Sequence, residues 1–214
     1  MIVRIPAWVT ETNAYVVTAV DDDRAVVIDV PPQPELIGSE LADRGLTVAA
    51  ILLTHGHVDH TGGAGSLSSG TGATVYVHPD DDFLTLHPSN QLRSMFGMVP
   101  PGSYEVPERR DDLEHGQKLE LAGITLEVRH TPGHTPGHCC FSWDEEGVLF
   151  SGDQLFAGSI GRTDLPGGSM PRLIESMRDE VMVLDDDVRV LPGHGPETTI
   201  GTERRTNPFA EMWA

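Results

Sequence analysis

Positive charge is scarce in this sequence of 214 residues. Lysine and arginine together number 14 against 33 aspartates and glutamates, Lys118 is the single lysine, and the formal net charge is −19. A protein surface that binds phosphate groups needs a field of the opposite sign, so we expect no nucleic acid partner. Aspartate runs at residues 21–23, 80–82 and 185–187 are typical of solvated turns on a soluble protein, with adaptation to high salt as the alternative.

Cysteine is nearly absent as well. Cys139 and Cys140 are the only two, and neighbouring residues in an extended segment point to opposite sides, which excludes an ordinary disulfide between them. We therefore predict that both thiols pack in the core of a protein from a reducing compartment.

Long apolar runs are also missing. No stretch approaches the about 20 apolar residues that span a bilayer. Residues 1–6 lack the basic start and the apolar core of a signal peptide, so we expect a cytoplasmic protein with no membrane partner. Because no Pro/Ser-rich linker or repeat divides the chain, residues 1–214 are predicted to form a single domain.

The sequence does contain a dense histidine motif directly after an apolar run. Residues 49–54 have the length and composition of a buried strand, and His55, His57, Asp59 and His60 follow. His55 and His57 alternate and can face one cation, whereas Asp59 and His60 lie where the chain turns and can face a second one. Small residues at positions 61–65 allow a helix to start beside these side chains.

Three further strand-like segments end on the same residue types. Residues 124–129, 148–150 and 188–191 run into turns that carry His134, Asp153 and His194. Imidazole nitrogen and carboxylate oxygen suit zinc, iron or manganese, and the absence of cysteine from the set argues against a closed structural zinc site. The seven residues therefore predict a metal-dependent enzyme with two adjacent metal sites that stay open to water.

This pattern resembles the metallo-β-lactamase superfamily from residue 13 to residue 209. The resemblance implies an α+β fold of the metallo-β-lactamase type, an αββα sandwich of four layers. It implies two divalent metal ions, with zinc expected and iron or manganese also compatible. The first ion would be held by His55, His57 and His134, the second by Asp59, His60 and His194, and Asp153 would bridge both.

Within that superfamily, residues 151–164 and 193–209 look like the small bacterial glyoxalase II-like proteins, which are hydroxyacylglutathione hydrolases. The resemblance implies hydrolysis of a small thioester of the glutathione type, such as S-lactoylglutathione, by attack of a metal-bridging hydroxide that Asp59 orients. Arg162 stands where glyoxalase II has a glutathione-binding lysine and is the expected substrate contact. Asp164 replaces a tyrosine of that enzyme, and the extra C-terminal helical domain of glyoxalase II is expected to be lacking.

Other activities stay open at this point. Residues 161–164 also resemble persulfide dioxygenases, which use one iron held by two histidines and an aspartate, and lactone or other ester hydrolysis is a third alternative. A scaffold without enzymatic activity is the fourth, and no protein partner is predicted. Residues 79–110 contain no predicted ligand and either pack on the domain or form a lid. Residues 170–184 have the spacing of an amphipathic helix.

Overall fold

Two six-stranded sheets carry most of the regular structure in the computed structural model of this chain. The structure describes the backbone of residues 1–214 and every side chain except those of Ser89, Met95 and Phe96. The chain forms two compact units, of which the first comprises Met1–Leu113 and Glu120–Ile124 and the second Glu114–Leu119 and Thr125–Ala214.

The first sheet lies in the first unit and has the order β1-β2-β3-β4-β5-β6. Strands β1 to β3 pair antiparallel, whereas β3 to β6 run parallel. The strands are β1 (Ile2–Ala7), β2 (Thr12–Val17), β3 (Arg24–Ile28), β4 (Thr47–Leu52), β5 (Thr74–Val77) and β6 (Arg110–Asp112), and the helices are α1 (Pro34–Arg44), α2 (Val58–Thr61), α3 (Ala64–Thr71), α4 (Asp82–Thr85) and α5 (Pro88–Phe96).

Helices α1 and α3 cover one face of this sheet. Proline in the first turn of α1 and Gly45 in the left-handed conformation after its last turn define where that helix begins and ends. Ile37 and Leu41 of α1 and Leu67 of α3 pack in one cluster with valines and isoleucines of β2 to β5. This packing holds the strand ends, and the loops that follow them, in fixed positions.

The second sheet has the order β14-β13-β10-β9-β8-β7. Its strands are β7 (Lys118–Leu121), β8 (Ile124–His130), β9 (Cys139–Trp143), β10 (Val148–Gly152), β13 (Arg189–Pro192) and β14 (Thr198–Thr199). A short hairpin of β11 (Leu155–Phe156) and β12 (Ser159–Ile160), helix α6 (Met170–Ser176) and helix α7 (Ile200–Thr206) complete this part of the chain.

Strand direction decides where the loops of the second sheet meet. Strand β9 pairs antiparallel with both β8 and β10, and β10 pairs parallel with β13, so β8, β10 and β13 all point the same way. The turns after these three strands therefore share one edge of the sheet. They are the turns that carry His134, Asp153 and His194.

Several sequence predictions can be compared with these elements. The four predicted strands correspond to β4, β8, β10 and β13. The helical segment is shorter than the predicted range of residues 170–184. The α-helix α6 ends at Ser176, and a π-helical segment, Met177–Val181, follows it directly. Its apolar stripe is confirmed, since Leu173, Met177 and Val181 are fully buried.

The predicted packing of the cysteines is confirmed, because Cys139 and Cys140 are free thiols buried in β9. Burial raises the pKa of Cys140 to about 12. The reading of residues 80–82 as a solvated turn is wrong for Asp81, which is fully buried. Among the helices that the structure describes, none is long and apolar enough to cross a membrane.

Candidate metal centre

The first group of predicted ligands follows β4. His55, His57, Asp59 and His60 are all buried. His57 precedes the first residue of α2, and Asp59 and His60 lie in that short helix. The ring of His55 is 4.1 Å from that of His60 and 4.9 Å from that of His57, measured between centroids. The structure therefore brings these four side chains into one cluster of the first unit.

Asp29, directly after β3, is the anchor of this cluster. Its backbone has a φ of 57°, a left-handed conformation that aspartate tolerates better than most residues. The carboxylate accepts hydrogen bonds of 2.8 Å from the amide and the hydroxyl of Thr54 and one of 2.7 Å from Nδ1 of His60. A single buried carboxylate thus holds both the start and the end of the ligand loop.

These contacts determine which nitrogen carries the proton on two imidazole rings. A carboxylate oxygen can only accept, so His60 is protonated at Nδ1 and has its lone pair on Nε2. The Thr54 hydroxyl gives its hydrogen to Asp29 and therefore accepts from Nδ1 of His55, 3.0 Å away. With Nδ1 as the donor, Nε2 is the nitrogen through which each ring could coordinate a metal ion as a neutral imidazole.

The backbone of the ligand loop is fixed by the segment at residues 79–96. Asp81 accepts a 2.6 Å hydrogen bond from the amide of Gly56. Gln91 accepts from the amide of Val58 at 3.0 Å and donates to the carbonyl of Gly56 at 2.9 Å. A side chain at position 56 would lie 2.8 Å from Leu84, so only glycine fits against this segment. Residues 79–96 therefore support the predicted ligands, and a lid formed by residues 79–110 stays a prediction. The side chains of Met95 and Phe96, which belong to that range, lie outside the described part of the chain.

The second group of predicted ligands lies at the shared edge of the second sheet. Nε2 of His134 is 3.4 Å and Nε2 of His194 is 3.7 Å from the same carboxylate oxygen, Oδ2 of Asp153. In the first group, Nε2 of His60 is 3.8 Å from Oδ2 of Asp59. Ligand atoms bound tetrahedrally at about 2.0–2.1 Å are separated by about 3.3 Å, so each of these three histidine–aspartate pairs is spaced closely enough to share a cation.

Backbone groups orient the second set as well. The carbonyl of Arg162 accepts a 2.7 Å hydrogen bond from Nδ1 of His134, which leaves the Nε2 lone pair of that ring directed at Asp153. Nε2 of His138 accepts from the amide of Asp153 at 3.1 Å, and its Nδ1 lies 2.8 Å from the hydroxyl of Thr131. Gly161 passes so close that a Cβ there would meet the carbonyl of Asp153 at 1.9 Å.

The side chain of Arg162 is exposed and pairs with Asp164. Its Nε and a terminal nitrogen each donate a 2.7 Å hydrogen bond to one carboxylate oxygen of Asp164. This pairing lowers the pKa of Asp164 to about 2 and raises the pKa of Arg162. Arg162, the predicted substrate contact, thus already forms an ion pair with the carboxylate of Asp164 in its own loop.

Sequence reasoning missed the residues that orient the ligands. Asp29 follows an apolar strand, as the ligands do, and that signal could have drawn attention to it. His138 precedes strand β9 and does not follow a strand, so the same signal could not have found it. Asp81 and Gln91 have no pattern of their own, because their partners lie 25 and 33 or 35 residues away along the chain.

Comparison with known proteins agrees with this arrangement. The family model described as the metallo-beta-lactamase superfamily matches residues 7–194. The chain is 38% identical to the hydroxyacylglutathione hydrolase GloC of Haemophilus influenzae, over 88% of each chain. Its fold is similar to the crystal structure of BLEG-1 B3 metallo-beta-lactamase, with a TM-score of 0.90 and 37% identity over 98% of this chain and 99% of that one.

A second solved structure is similar over nearly the whole length. TTHA1623, crystallised in a di-iron-bound form, is 39% identical with a TM-score of 0.86 and covers 97% of this chain and 99% of its own. The chain belongs to the metallo-beta-lactamase superfamily. By this family membership and by its similarity to a known hydrolase, it is classed as a metallo-hydrolase. The predicted α+β fold of the metallo-β-lactamase type, with mixed sheets and helices, is confirmed.

Proposed function

We propose that this metallo-hydrolase cleaves a thioester of the glutathione type, with S-lactoylglutathione as the substrate to be tested first. The observation that carries the proposal is the orientation of three imidazoles, His55, His60 and His134, each with its Nδ1 engaged, so that Nε2 is the nitrogen that would bind a metal. The likeness to a hydroxyacylglutathione hydrolase over 88% of the chain supports the substrate class.

The proposal assigns two metal ions to the seven predicted ligands. One ion would be held by His55, His57 and His134, the other by Asp59, His60 and His194, with Asp153 between them. The donor set of nitrogen and oxygen suits zinc and iron alike, and a relative crystallised with two iron ions supports a count of two. When bound, the ions would supply a hydroxide at neutral pH and an electrophile for the thioester carbonyl.

The remaining work is done by side chains of the protein. Asp59 would orient the attacking water, and its own Oδ2 accepts a 3.2 Å hydrogen bond from the hydroxyl of Thr12 that fixes the carboxylate plane. Arg162 would attract the carboxylates of the thiol carrier at the exposed rim. The departing thiolate has a pKa of about 8.5 and needs little help from an acid.

Metal analysis and a substrate panel test this proposal together. The purified protein is loaded with zinc or with iron, its metal content is measured, and each form is assayed with S-lactoylglutathione, glutathione persulfide, a lactone and a β-lactam. We expect two ions per chain and turnover of the thioester. One iron per chain together with oxygen consumption on the persulfide would contradict the thioesterase proposal and favour persulfide dioxygenation. Turnover of the β-lactam alone would indicate β-lactamase activity, the activity for which BLEG-1 is named.

Two variants test the ligand assignment. Asp153→Ala should remove the shared anion and abolish turnover with loss of both ions, whereas His194→Ala should weaken mainly one ion. The ratio of metal to protein after dialysis distinguishes the two variants. Wild-type activity and metal content in Asp153→Ala would contradict the bridging role.

A further inference from the structure

The hairpin β11–β12 and the two residues after it contact all three ligands of the second group. The ring of Phe156 lies edge-on to that of His194, with 6.1 Å between centroids. The carbonyl of Arg162 binds Nδ1 of His134, and Gly161 lies against the carbonyl of Asp153. Any shift of this hairpin would therefore move the acceptor of His134 and the neighbour of His194 together.

The hairpin is itself held by the C-terminal tail. Oε2 of Glu203, in α7, accepts hydrogen bonds from the amide of Gly158 at 2.9 Å and from the side-chain amide of Asn207 at 2.7 Å. The same amide of Asn207 also lies 3.2 Å from the carbonyl of Ser159. Gly158 of the hairpin turn and Ser159, the first residue of β12, are thus bonded to the tail through polar side chains.

The burial of Glu203 is energetically unfavourable unless its carboxylate is fully hydrogen-bonded. Its side chain is 2% exposed, and burying a carboxylate costs free energy unless each oxygen is well hydrogen-bonded. Its second oxygen accepts from the hydroxyl of Thr198 at 2.6 Å, so the group is fully satisfied. Apolar packing already joins tail and hairpin, since Leu155 and Ile160 share a core cluster with Ile200 and Trp213, but only the directional bonds of Glu203 fix the position of the Gly158 amide.

We propose that Glu203 and Asn207 are positioning residues that set the metal affinity of the second ligand group through the hairpin. The polar contacts of Glu203 and Asn207 reach the predicted ligands through Gly158, Ser159 and the chain that leads to Arg162. This inference rests on the metal binding in the proposed function and adds a role for the tail, which is about 40 to 50 residues away in sequence from the hairpin it holds.

The test compares three variants with the wild type. Glu203→Ala removes the acceptor of Gly158. Glu203→Gln keeps an oxygen for Gly158 and Asn207, because the Thr198 hydroxyl can reverse its bond and accept from the new amide. Thr199→Ala is the matched control, since it removes the acceptor for the amide of Thr202 at the start of the same helix α7 and has no bond to the hairpin.

Metal affinity is measured by competition with a chelator, and the protonated nitrogen of His134 is read from NMR spectra of the metal-free protein. We expect Glu203→Ala to lower the affinity for both ions by about tenfold, because His134 and His194 are assigned to different ions, and to populate both tautomers of His134. Glu203→Gln should restore the wild-type values. Thr199→Ala should lower the melting temperature without changing either reading.

The outcome separates this inference from the proposed function. If the wild type does not bind two ions, the metal assignment in the proposed function is wrong, and the inference about the tail is wrong with it. If the wild type binds two ions and Glu203→Ala keeps its affinity and its single tautomer, the tail is only structural and the inference is wrong. Should Glu203→Ala not fold, Asn207→Ser removes the bond to Ser159 and is judged by the same two readings.

Discussion

Arg162 and Asp164 form a bidentate ion pair two residues apart, with two hydrogen bonds of 2.7 Å. Both side chains are more than half exposed, so the pair lies at the surface and is open to competition. A carboxylate of the substrate would have to displace Asp164 before it could occupy the same guanidinium fork. Asp164 is thus expected to weaken the binding of anionic substrates by Arg162.

The first prediction concerns this competition. Asp164→Asn should lower KM for S-lactoylglutathione severalfold, and Arg162→Ala should raise KM more than it lowers kcat, because the contact is made equally in the bound and transition states. A thioester without carboxylates should respond to neither change. Steady-state kinetics on both substrates provide the measurement.

A matched pair elsewhere controls for surface charge. Arg178 and Asp179 form the same bidentate pair at exposed positions, so Asp179→Asn should leave KM unchanged. The pKa of Asp164 is lowered to about 2, and a lowered pKa means that the pairing is complete above the ordinary aspartate range and is lost only as the pH falls through about 2. The effect of Asp164→Asn should therefore be the same at pH 6 and pH 8, and a pH-dependent effect would contradict the assignment.

The second prediction concerns Asp29. Asn can adopt the same left-handed backbone. Both oxygens of Asp29 accept, however, Oδ1 from the amide of Thr54 and Oδ2 from the Thr54 hydroxyl and from Nδ1 of His60, and the NH2 group of asparagine can replace neither of them. Asp29→Asn should therefore disturb the protonation of His55 and His60 and lower metal affinity by about 10- to 100-fold. Chelator competition measures the loss. Unchanged affinity in a folded variant would show that the ring orientation is set by packing alone.

The candidate ligands could be selected from the sequence because each group of them follows an apolar strand, and strand ends are local features. His55, His134, Asp153 and His194 could all be found in this way. The residues that orient them could not, since the bond from His60 to Asp29 joins positions 31 residues apart and the bond from Gly158 to Glu203 joins positions 45 apart. Such pairs depend on the register of the sheets and the path of the tail, which short patterns do not record.

The third prediction concerns Gly161. A methyl group at this position would lie 1.9 Å from the carbonyl oxygen of Asp153 and 3.1 Å from Nδ1 of His134, so the loop must shift. Gly161→Ala should lower the free energy of unfolding by about 1–3 kcal/mol and reduce the metal content. Urea denaturation and elemental analysis measure the two effects.

Gly38 offers the control for that substitution. It lies inside α1 with open space around the position of a Cβ. Gly38→Ala should raise the free energy of unfolding by about 0.5–1 kcal/mol, because alanine loses less backbone entropy in a helix than glycine. If both glycine variants changed stability alike, the close approach at Gly161 would have no energetic significance.

The fourth prediction concerns the two thiols. Cys139 and Cys140 are fully buried, and burial raises the pKa of Cys140 to about 12, so its reactive thiolate is scarce at neutral pH. In the native protein neither should react with a thiol reagent such as DTNB at pH 8, whereas both should react after denaturation. Rapid modification of one thiol in the folded protein would argue for a redox role.

The carboxylate of Asp29 reaches His60 directly and His55 through the hydroxyl of Thr54. In the proposed assignment these histidines belong to different metal ions, so one aspartate orders a ligand of each. Binding the first ion would immobilise Asp29 and Thr54, and the second ion would then meet a ligand that has already lost its freedom. We expect metal loading to be positively cooperative, so that a limited supply of metal produces a mixture of fully loaded and empty chains.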